Sequence, residues 1–321
     1  MPVFIYPFMQ IVEDVQSEMS EESSESSVET RYKNRVNDIY TKDILARHEF
    51  DWLRKRATVV TVADYTTGTV DITAGASLVS GGDTAPTWTS AMTGRWFQVG
   101  SEEEVYKFTF LTATTGKIEP AYVKTSNKDE GTYKIFQDIY ELPEDYDRPT
   151  TEPGIYYQTT SGGKREIKFL TDMEAWRRTY TTQVTDYSSY WREVGELSTN
   201  GLRQFQVTPP PTDAKIIVLE YYRSLAPMKE VTTGTATTTS NSYAVMLSSD
   251  LSAQVSAGQY FRIDSDGSWA RITGVSGASL TLADKYPTSN SAQAYTICDA
   301  PQMPPTIQKG IFYGACWQTA I

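Results

Sequence analysis

The chain has 321 residues, enough for about two globular domains or one domain with insertions. Its 29 Lys and Arg against 40 Asp and Glu give a formal net charge of −11, which argues against a surface built for broad adhesion to nucleic acid or anionic lipid. Two cysteines and a single histidine exclude a disulfide framework and a multi-histidine metal site. No apolar run approaches the ~18 residues that would span a bilayer, and we expect no membrane association. The apolar residues 1–9 contain two prolines and no preceding basic region, so we expect no signal peptide.

Residues 13–29 form an acidic segment that contains no Lys or Arg. Its carboxylates belong to Glu13, Asp14, Glu18, Glu21, Glu22, Glu25 and Glu29. Like charges at this density favour a solvated linker or a frayed helix. The other interpretation is that the segment meets a basic surface on a partner.

The clearest helix begins inside this acidic segment. Ser26-Ser27-Val28-Glu29 has the capping-box pattern of a helix start. Apolar side chains then recur at steps of three or four, at Val28, Tyr32, Val36, Ile39, Tyr40 and Ile44. The spacing predicts a helical arm, within residues 1–57, with one apolar face.

The end of the arm is basic and aromatic. Between residues 31 and 56 eight basic residues stand against four acidic ones. Arg54, Lys55 and Arg56 next to Trp52 are able to contact phosphates, but the net charge favours salt bridges or a subunit contact instead. Arg47 is a further candidate for that contact, and we interpret His48 as a surface or interface histidine.

Residues 57–63 begin a β-rich region, because they are mostly β-branched. The strongest internal signal follows: residues 94–100 and 258–264 align without a gap at an offset of 164, and the same offset pairs Tyr122 with Tyr286. We interpret residues 65–137 and 231–299 as two copies of one small antiparallel β-module. Two copies are too few for a solenoid.

The remaining residues, 58–64 and 138–230, form the predicted central body of strands and one short helix. That helix is expected at 169–178, capped at Thr171, and strands are expected at 187–197, 202–208 and 215–222. Residues 300–321 predict a final helix that starts at prolines and carries Tyr313 and Trp317. These aromatic side chains either cover the core or face a partner. The predicted class is α+β, with the helical arm and the C-terminal helix on a β-rich body.

Few residues point to catalysis, and we expect neither an enzyme nor a cofactor. The carboxylates of Glu102, Glu103, Glu104, Glu141, Glu144 and Asp145 are of the type used for glycoside hydrolysis, but their spacing in sequence defines no pair. Residues 264–267 resemble a cation loop only faintly and lack the closing glutamate, so a turn is favoured.

The order of these elements resembles that of the head-to-tail adaptor (connector or neck) proteins of tailed bacteriophages. The stretches that carry the resemblance are Phe50-Asp-Trp-Leu-Arg-Lys-Arg56, Thr58–Ala63, Tyr140-Glu-Leu-Pro-Glu-Asp-Tyr146, Pro209-Pro-Pro-Thr-Asp213, Leu219-Glu-Tyr-Tyr-Arg223 and Pro304-Pro305 through Ile321. The duplicated module is not obligatory in such proteins, and we do not carry over from the resemblance a C-terminal tail that inserts into the portal.

The resemblance implies a structural virion protein, made in the host cytoplasm, that forms a ring, usually a dodecamer, beneath the portal. Its partners would be copies of itself, the portal protein, and tail or nozzle proteins. DNA would pass through the lumen without specific binding, since a basic bore would retain it. The candidate subunit or portal interface then comprises Arg47, Trp52, Arg54, Lys55, Arg56, Tyr313 and Trp317. The oppositely charged blocks 13–29 and 31–56 are candidate faces for a ring contact.

An alternative is a β-rich tail spike or fibre, or another carbohydrate-binding adhesion protein. In that case Trp88, Trp96, Tyr122, Trp269 and Tyr286 would be sugar platforms. A polysaccharide-degrading enzyme is the third possibility. The charged arm and the final helix count against the adhesion protein, and turnover of a glycan panel would distinguish the enzyme.

Overall fold

The computed structural model describes residues 5–19, 26–44, 49–124, 128–150, 154–159, 163–195 and 197–319. The chain divides into two compact units, one made of residues 54–223 and the other of residues 1–53 and 224–321. The fold is α+β: four helices accompany several antiparallel sheets in the described residues. The helices are α1 (Phe8–Glu18), α2 (Ser26–Asp38), α3 (Met173–Thr179) and α4 (Pro305–Thr319).

The unit of residues 54–223 contains α3 and sixteen strands in its described part. They are β1 (Arg54–Val60), β2 (Val70–Ile72), β3 (Leu78–Gly81), β4 (Trp96–Val99), β5 (Val105–Thr112), β6 (Thr115–Glu119), β7 (Lys128–Gly131), β8 (Tyr133–Phe136), β9 (Ile139–Glu141), β10 (Tyr146–Pro149), β11 (Ile155–Gln158), β12 (Lys164–Glu166), β13 (Lys168–Phe169), β14 (Tyr190–Val194), β15 (Gln204–Thr208) and β16 (Ile216–Arg223).

Two sheets form the body of this unit. One has the order β1-β16-β11-β12, with β10 also paired to β16, and the other has the order β13-β14-β15-β9. Only the β13–β14 pair is parallel among the paired strands of the described residues. The sheets share one core, in which Trp191, Phe205 and Leu219 are fully buried. This arrangement hides the apolar face of each sheet from water.

The unit of residues 1–53 and 224–321 contains the other three helices and a second β-rich part. Its strands are β17 (Glu230–Val231), β18 (Ala236–Thr238), β19 (Ser242–Leu247), β20 (Tyr260–Ile263), β21 (Ala270–Ser276), β22 (Ser279–Tyr286), β23 (Asn290–Gln293) and β24 (Tyr295–Cys298). Helices α1, α2 and α4 pack on one another. The second β-module is therefore grouped in one compact unit with these helices.

The polar contacts of the second module explain this grouping. Arg262 of β20 donates two hydrogen bonds to Glu13 of α1, and Trp269 Nε1 donates to Gln10 of the same helix at 3.2 Å. Lys33 of α2 pairs with Glu230 at the start of the module. These long-range contacts leave no trace in the local sequence pattern.

The sheets of the two modules have the same strand order. The first sheet runs β7-β2-β3-β6-β5-β4-β8, and the second runs β23-β18-β19-β22-β21-β20-β24 with β17 added at its end. When strands β2–β8 and strands β18–β24 are each renumbered from 1 to 7 in chain order, both sheets have the order 6-1-2-5-4-3-7. Gly94 and Gly258, which precede β4 and β20, both adopt a positive φ that favours glycine.

The helical arm matches the predicted apolar face. Tyr32, Val36, Ile39 and Tyr40 are buried, and α2 continues into a π-helical turn at Ile39–Asp43. Helix α1 was not predicted: Phe8, Ile11, Val12 and Val15 are spaced for one helical face and are buried. The first part of the acidic segment is thus helical, and residues 20–25 lie outside the described residues.

Two predicted boundaries moved for identifiable reasons. Strand β1 begins at Arg54, because residues 54–60 pair in register with β16, so the basic cluster lies in a strand and not in a turn. The short helix begins at Met173, after Asp172, whose side chain accepts a hydrogen bond from the Glu174 backbone. Thr171 is therefore not its cap. Among the described residues no helix is long and apolar enough to cross a membrane.

Candidate assembly surface

Helix α4 is fixed by one buried side. Ile311 and Ala315 are fully buried, one turn apart. Gln308 on the same side is 2% exposed; it accepts a hydrogen bond from the Tyr6 backbone at 3.0 Å and donates to the carbonyl of Met303 at 3.2 Å. Near the end of the helix, Gln318 donates to Asp43 Oδ2 at 2.8 Å. These contacts orient the helix and determine which side chains face outward.

The opposite side of α4 presents an aromatic pair to solvent. Tyr313 and Trp317, one helical turn apart, are 65% and 63% exposed, the highest values among the large hydrophobic side chains of the described residues. Lys309 and Gly310 in the preceding turn are also exposed. Two neighbouring exposed aromatic rings indicate a protein contact more strongly than a single exposed apolar residue does.

A groove of about 330 Å³, here called the acidic groove, lies on one flank of the aromatic pair. Its walls are α1 and α4, and it is lined by Tyr6, Ile11, Asp14, Ser17, Glu18, Gln308, Lys309, Phe312 and Tyr313. The carboxylates on the α1 wall are not matched by equal positive charge on the α4 wall. The acidic groove suits a partner with basic residues.

A second groove of about 210 Å³, here called the apolar groove, lies on the other flank. It is lined by Ile39, Asp43, Ile44, Phe50, Ile307, Gly310, Gly314 and Trp317. Gly314 favours the close approach of α4 to the arm, since a Cβ there would lie 3.1 Å from Ile39 Cγ2, which is tighter than an ordinary contact. Gly310 has open space around it, so a partner is able to approach the helix backbone closely at this point.

The aromatic residues at the end of the arm adjoin the apolar groove. The ring of Phe50, which lines the groove, lies 5.7 Å from the ring of Trp52. Trp52 is half-buried in a single turn of 3-10 helix, and its buried Nε1 has no hydrogen-bond partner among the described residues. The fold therefore brings Phe50, Trp52 and Trp317 into one region. Arg47 and His48 lie outside the described residues.

The predicted basic cluster is exposed, but its members have partners within their own unit. Lys55 Nζ lies 2.6 Å from Asp145 Oδ2, and Arg54 lies 3.9 Å from Glu220. Arg56 donates to the neutral Gln158 at 3.3 Å. Of the three, Arg56 is thus the side chain least committed to an internal ion pair.

Two of the carboxylates considered for catalysis, and one from the suspected cation loop, have partners in the first and second modules. Glu102 accepts from the Tyr122 hydroxyl at 2.9 Å, and Glu104 pairs with Lys124 at 2.5 Å. Asp266, in the predicted turn, accepts hydrogen bonds from the Ser268 backbone and the Tyr286 hydroxyl. Within the described part of the chain no cluster of three metal-ligating side chains occurs.

The aromatic residues considered as sugar platforms are covered. Trp88, Tyr122 and Tyr286 are buried in the module cores. The Lys107 ammonium lies 3.6 Å from the centre of the Trp96 ring, and the Arg262 guanidinium lies 4.5 Å from that of Trp269. The rings of Trp88, Tyr122 and Tyr286 are thus inaccessible to a sugar, while Trp96 and Trp269 are half-buried, each with a cation over its ring.

Sequence reasoning missed both grooves beside α4. The available signal was the helical spacing of Phe8, Ile11, Val12 and Val15, which predicts a helix able to pack against α4. The acidic residues that follow obscured it. The sequence left open whether Tyr313 and Trp317 are buried or exposed, because both faces of α4 carry apolar residues.

No family model matches this chain, and no curated protein matches it significantly. Two solved structures of the translation elongation factor SelB from Methanococcus maripaludis align weakly. The apo form aligns at 10% identity with a TM-score of 0.17, covering 78% of this chain and 63% of SelB, so the chain spans less than two thirds of that protein. The complex with the GTP analogue GppNHp has the same identity and TM-score, and covers 86% and 69%. Similarity at this level carries no argument about fold or function.

Proposed function

We propose that the protein is a structural component of a tailed-phage virion, a head-to-tail adaptor that assembles as a ring beneath the portal and serves as the platform for the tail. The observation that carries the proposal is the exposed aromatic pair on α4, Tyr313 and Trp317, between an acidic and an apolar groove. An exposed aromatic side chain keeps apolar surface in contact with water, and burial of that surface against a partner is favourable. The order of sequence elements supplies the class of partner.

The charge distribution suits a DNA conduit. The net charge of −11 repels a polyanion, and many basic side chains of the described residues are paired with carboxylates, among them Lys33 with Glu230, Lys124 with Glu104, and Arg262 with Glu13. Each unpaired cation facing DNA would release counterions and strengthen binding. We expect no measurable duplex binding in a gel-shift assay near physiological salt. A tight, salt-sensitive complex would contradict the proposal.

The proposal includes a duplication of the β-module. Equivalent hydrogen bonds support it: Tyr133 donates to the Thr67 carbonyl and Tyr295 to the Thr233 carbonyl, both at 2.6 Å. The Gly94 amide donates to the Phe108 carbonyl at 2.7 Å, and its counterpart joins residues 258 and 272 at 2.8 Å. Such modules would project from the ring and contact tail proteins.

The decisive experiment measures the mass of the assembled species and its capture by the portal ring. We expect the wild-type chain to form a closed ring that binds the portal. The double variant Tyr313→Ser, Trp317→Ser should remain folded, because both side chains are mostly exposed, but lose assembly or portal capture. Leu197→Ser is the matched control, since Leu197 is 62% exposed elsewhere. A monomeric wild type that ignores the portal would refute the proposal.

The basic cluster has a separate test. Reversing Arg54, Lys55 and Arg56 to Glu together would also place a carboxylate against Asp145, so a loss of assembly would be ambiguous. Arg56→Glu alone avoids this, because the partner of Arg56 is neutral. Weakened assembly with an unchanged melting temperature would keep Arg56 in the interface, and unchanged assembly would remove it.

The glycan-binding alternative has less support. Its five aromatic candidates are buried or covered by cations, as described above. Binding to a glycan panel would nevertheless be a direct observation in its favour.

A further inference from the structure

A polar cleft of about 320 Å³ lies within the unit of residues 54–223. Its walls come from the start of β4, from β9 and from the segment before β15. The residues that matter for its chemistry are Arg95, Trp96, Lys107, Gln137, Asp138 and Glu141. We call it the Arg95 cleft.

Arg95 is the unexplained group in this cleft. Its side chain is half-buried, and its buried Nε has no hydrogen-bond partner among the described residues. Burial lowers the pKa of Arg95, and the nearby Tyr140 hydroxyl opposes that shift. The Nε of this half-buried guanidinium loses hydration without gaining a hydrogen bond, which is unfavourable and leaves capacity for an anionic ligand.

The two carboxylates of the cleft are engaged elsewhere. Asp138 is 1% exposed and accepts hydrogen bonds from Trp96 Nε1 at 2.7 Å, Gln206 at 2.7 Å and the Tyr180 hydroxyl at 3.0 Å. Glu141 accepts from Asn200 at 3.0 Å. Neither forms an ion pair with Arg95 within the part of the chain that the structure describes.

The second cation of the cleft lies beside Arg95 in the strand pairing. Lys107 of β5 is the register partner of Trp96, and its ammonium covers the Trp96 ring at 3.6 Å and donates to the Gly94 carbonyl at 3.2 Å. Two cations and an aromatic edge at one opening favour a carboxylate ligand. The planar fork of an arginine binds a carboxylate through two parallel hydrogen bonds.

We propose that the Arg95 cleft binds carboxylates from residues 17–29, the later part of the acidic segment, of a second copy of this chain. This inference rests on the proposed function in that it supposes an assembly of copies. The occupant follows from charge complementarity: the segment contains Glu18, Glu21, Glu22, Glu25 and Glu29 and no cation. A contact between different surfaces of neighbouring copies is also the kind that closes a ring.

The test is the binding of a fluorescent peptide of residues 16–29 to the full-length chain, measured by anisotropy at two salt concentrations. We expect Arg95→Met to weaken binding at least tenfold, because charged hydrogen bonds are lost, and Arg95→Lys to be intermediate, because it keeps the charge without the fork. Lys117→Met is the matched control: Lys117 is exposed in the same module, and the charge change is identical.

Thermal stability separates a ligand role from a structural one. Arg95→Met should leave the melting temperature unchanged or raise it, since the replaced group lacks an internal partner; a clear decrease would mark Arg95 as structural and overturn the proposal. Equal binding by Arg95→Met, or by a peptide with all five glutamates changed to glutamine, would also overturn it. Binding of inorganic phosphate without the peptide would reject the second copy as occupant. Because peptide binding is measured without a portal, a failure here is distinguishable from a failure of ring assembly.

Discussion

The hydroxyl of Tyr286 donates a hydrogen bond of 2.8 Å to Oδ1 of Asp266. The same hydroxyl accepts a hydrogen bond from the Ile263 backbone at 2.9 Å, so one atom joins the turn after β20 to the end of β22. In the first module Tyr122 and Glu102 make the equivalent contact at 2.9 Å, and both residues are offset by 164. Burial raises the pKa of both tyrosines, assisted by the adjoining carboxylate.

Removing these hydroxyls should destabilise the two modules unequally. Tyr286→Phe leaves the buried Ile263 amide and the Asp266 carboxylate without their shared partner, so we expect a loss of about 2–3 kcal/mol. Tyr122→Phe loses one donor to Glu102, and we expect about 1–2 kcal/mol. Calorimetric unfolding of each variant measures the difference. Equal losses of stability would show that the hydrogen bond from the Ile263 amide to the Tyr286 hydroxyl contributes little.

The Lys55–Asp145 ion pair should make body stability depend on pH. Burial alone would raise the pKa of Asp145, but hydrogen bonds from Lys55 and Tyr221 outweigh burial and hold it below its ordinary value. A carboxylate with a lowered pKa stabilises the fold above its unfolded value of about 3.9, and this stabilisation is lost as pH falls through the folded pKa.

Lys55→Met tests this directly. At neutral pH we expect a loss of about 0.5–1 kcal/mol, because the pair is half exposed. The loss should shrink as pH falls below about 4. Arg56→Gln is the control, since its partner Gln158 does not titrate. Urea unfolding from pH 3 to 7 supplies the data, and a pH-independent effect of Lys55→Met would contradict the assignment.

The contact between α1 and the second module should be energetically coupled. The Arg262 side chain is 12% exposed and donates from both terminal nitrogens to Glu13, which is 37% exposed. A double-mutant cycle with Glu13→Gln and Arg262→Met should give a coupling of about 1–2 kcal/mol. The Lys42–Asp38 pair on α2 is 73% and 53% exposed and should show negligible coupling in the same assay. Additive effects at Glu13 and Arg262 would mean that this ion pair contributes nothing to the attachment of α1 to the module.

Two strand glycines should respond differently to alanine. A Cβ at Gly116 would lie 2.3 Å from Cε2 of the buried Phe108, so Gly116→Ala should cost about 1–3 kcal/mol through displacement of that ring. Gly274 in the second module has its nearest contact at 3.7 Å, to Thr281 Cβ, and Gly274→Ala should be neutral within about 0.5 kcal/mol. The melting temperatures of the two alanine variants test this difference. An unchanged melting temperature for Gly116→Ala would show that the Phe108 ring moves aside without cost.

The local sequence pattern predicted the buried positions correctly where a single helix or strand buries one face. The buried positions of α2, from Tyr32 to Tyr40, follow from spacing alone. The strands near residues 190, 204 and 216 and the final helix starting at Pro305 also lie where composition and prolines indicated. Their ends shifted by a few residues, because pairing partners and caps, as at β1 and Asp172, determine where an element stops.

The amino-acid sequence by itself determined the charge, the scarcity of catalytic and metal-binding side chains, the α+β class and the offset of 164 between the module sequences, since composition, periodicity and self-similarity are local properties. Only the tertiary structure decided that the second module folds with the helices, that Tyr313 and Trp317 face solvent, and that Lys55 pairs with Asp145 while Arg95 Nε has no hydrogen-bond partner in the described part of the chain. These depend on which distant segments meet, and long-range contacts such as Arg262 with Glu13 form between residues whose sequence neighbours carry no record of the pairing.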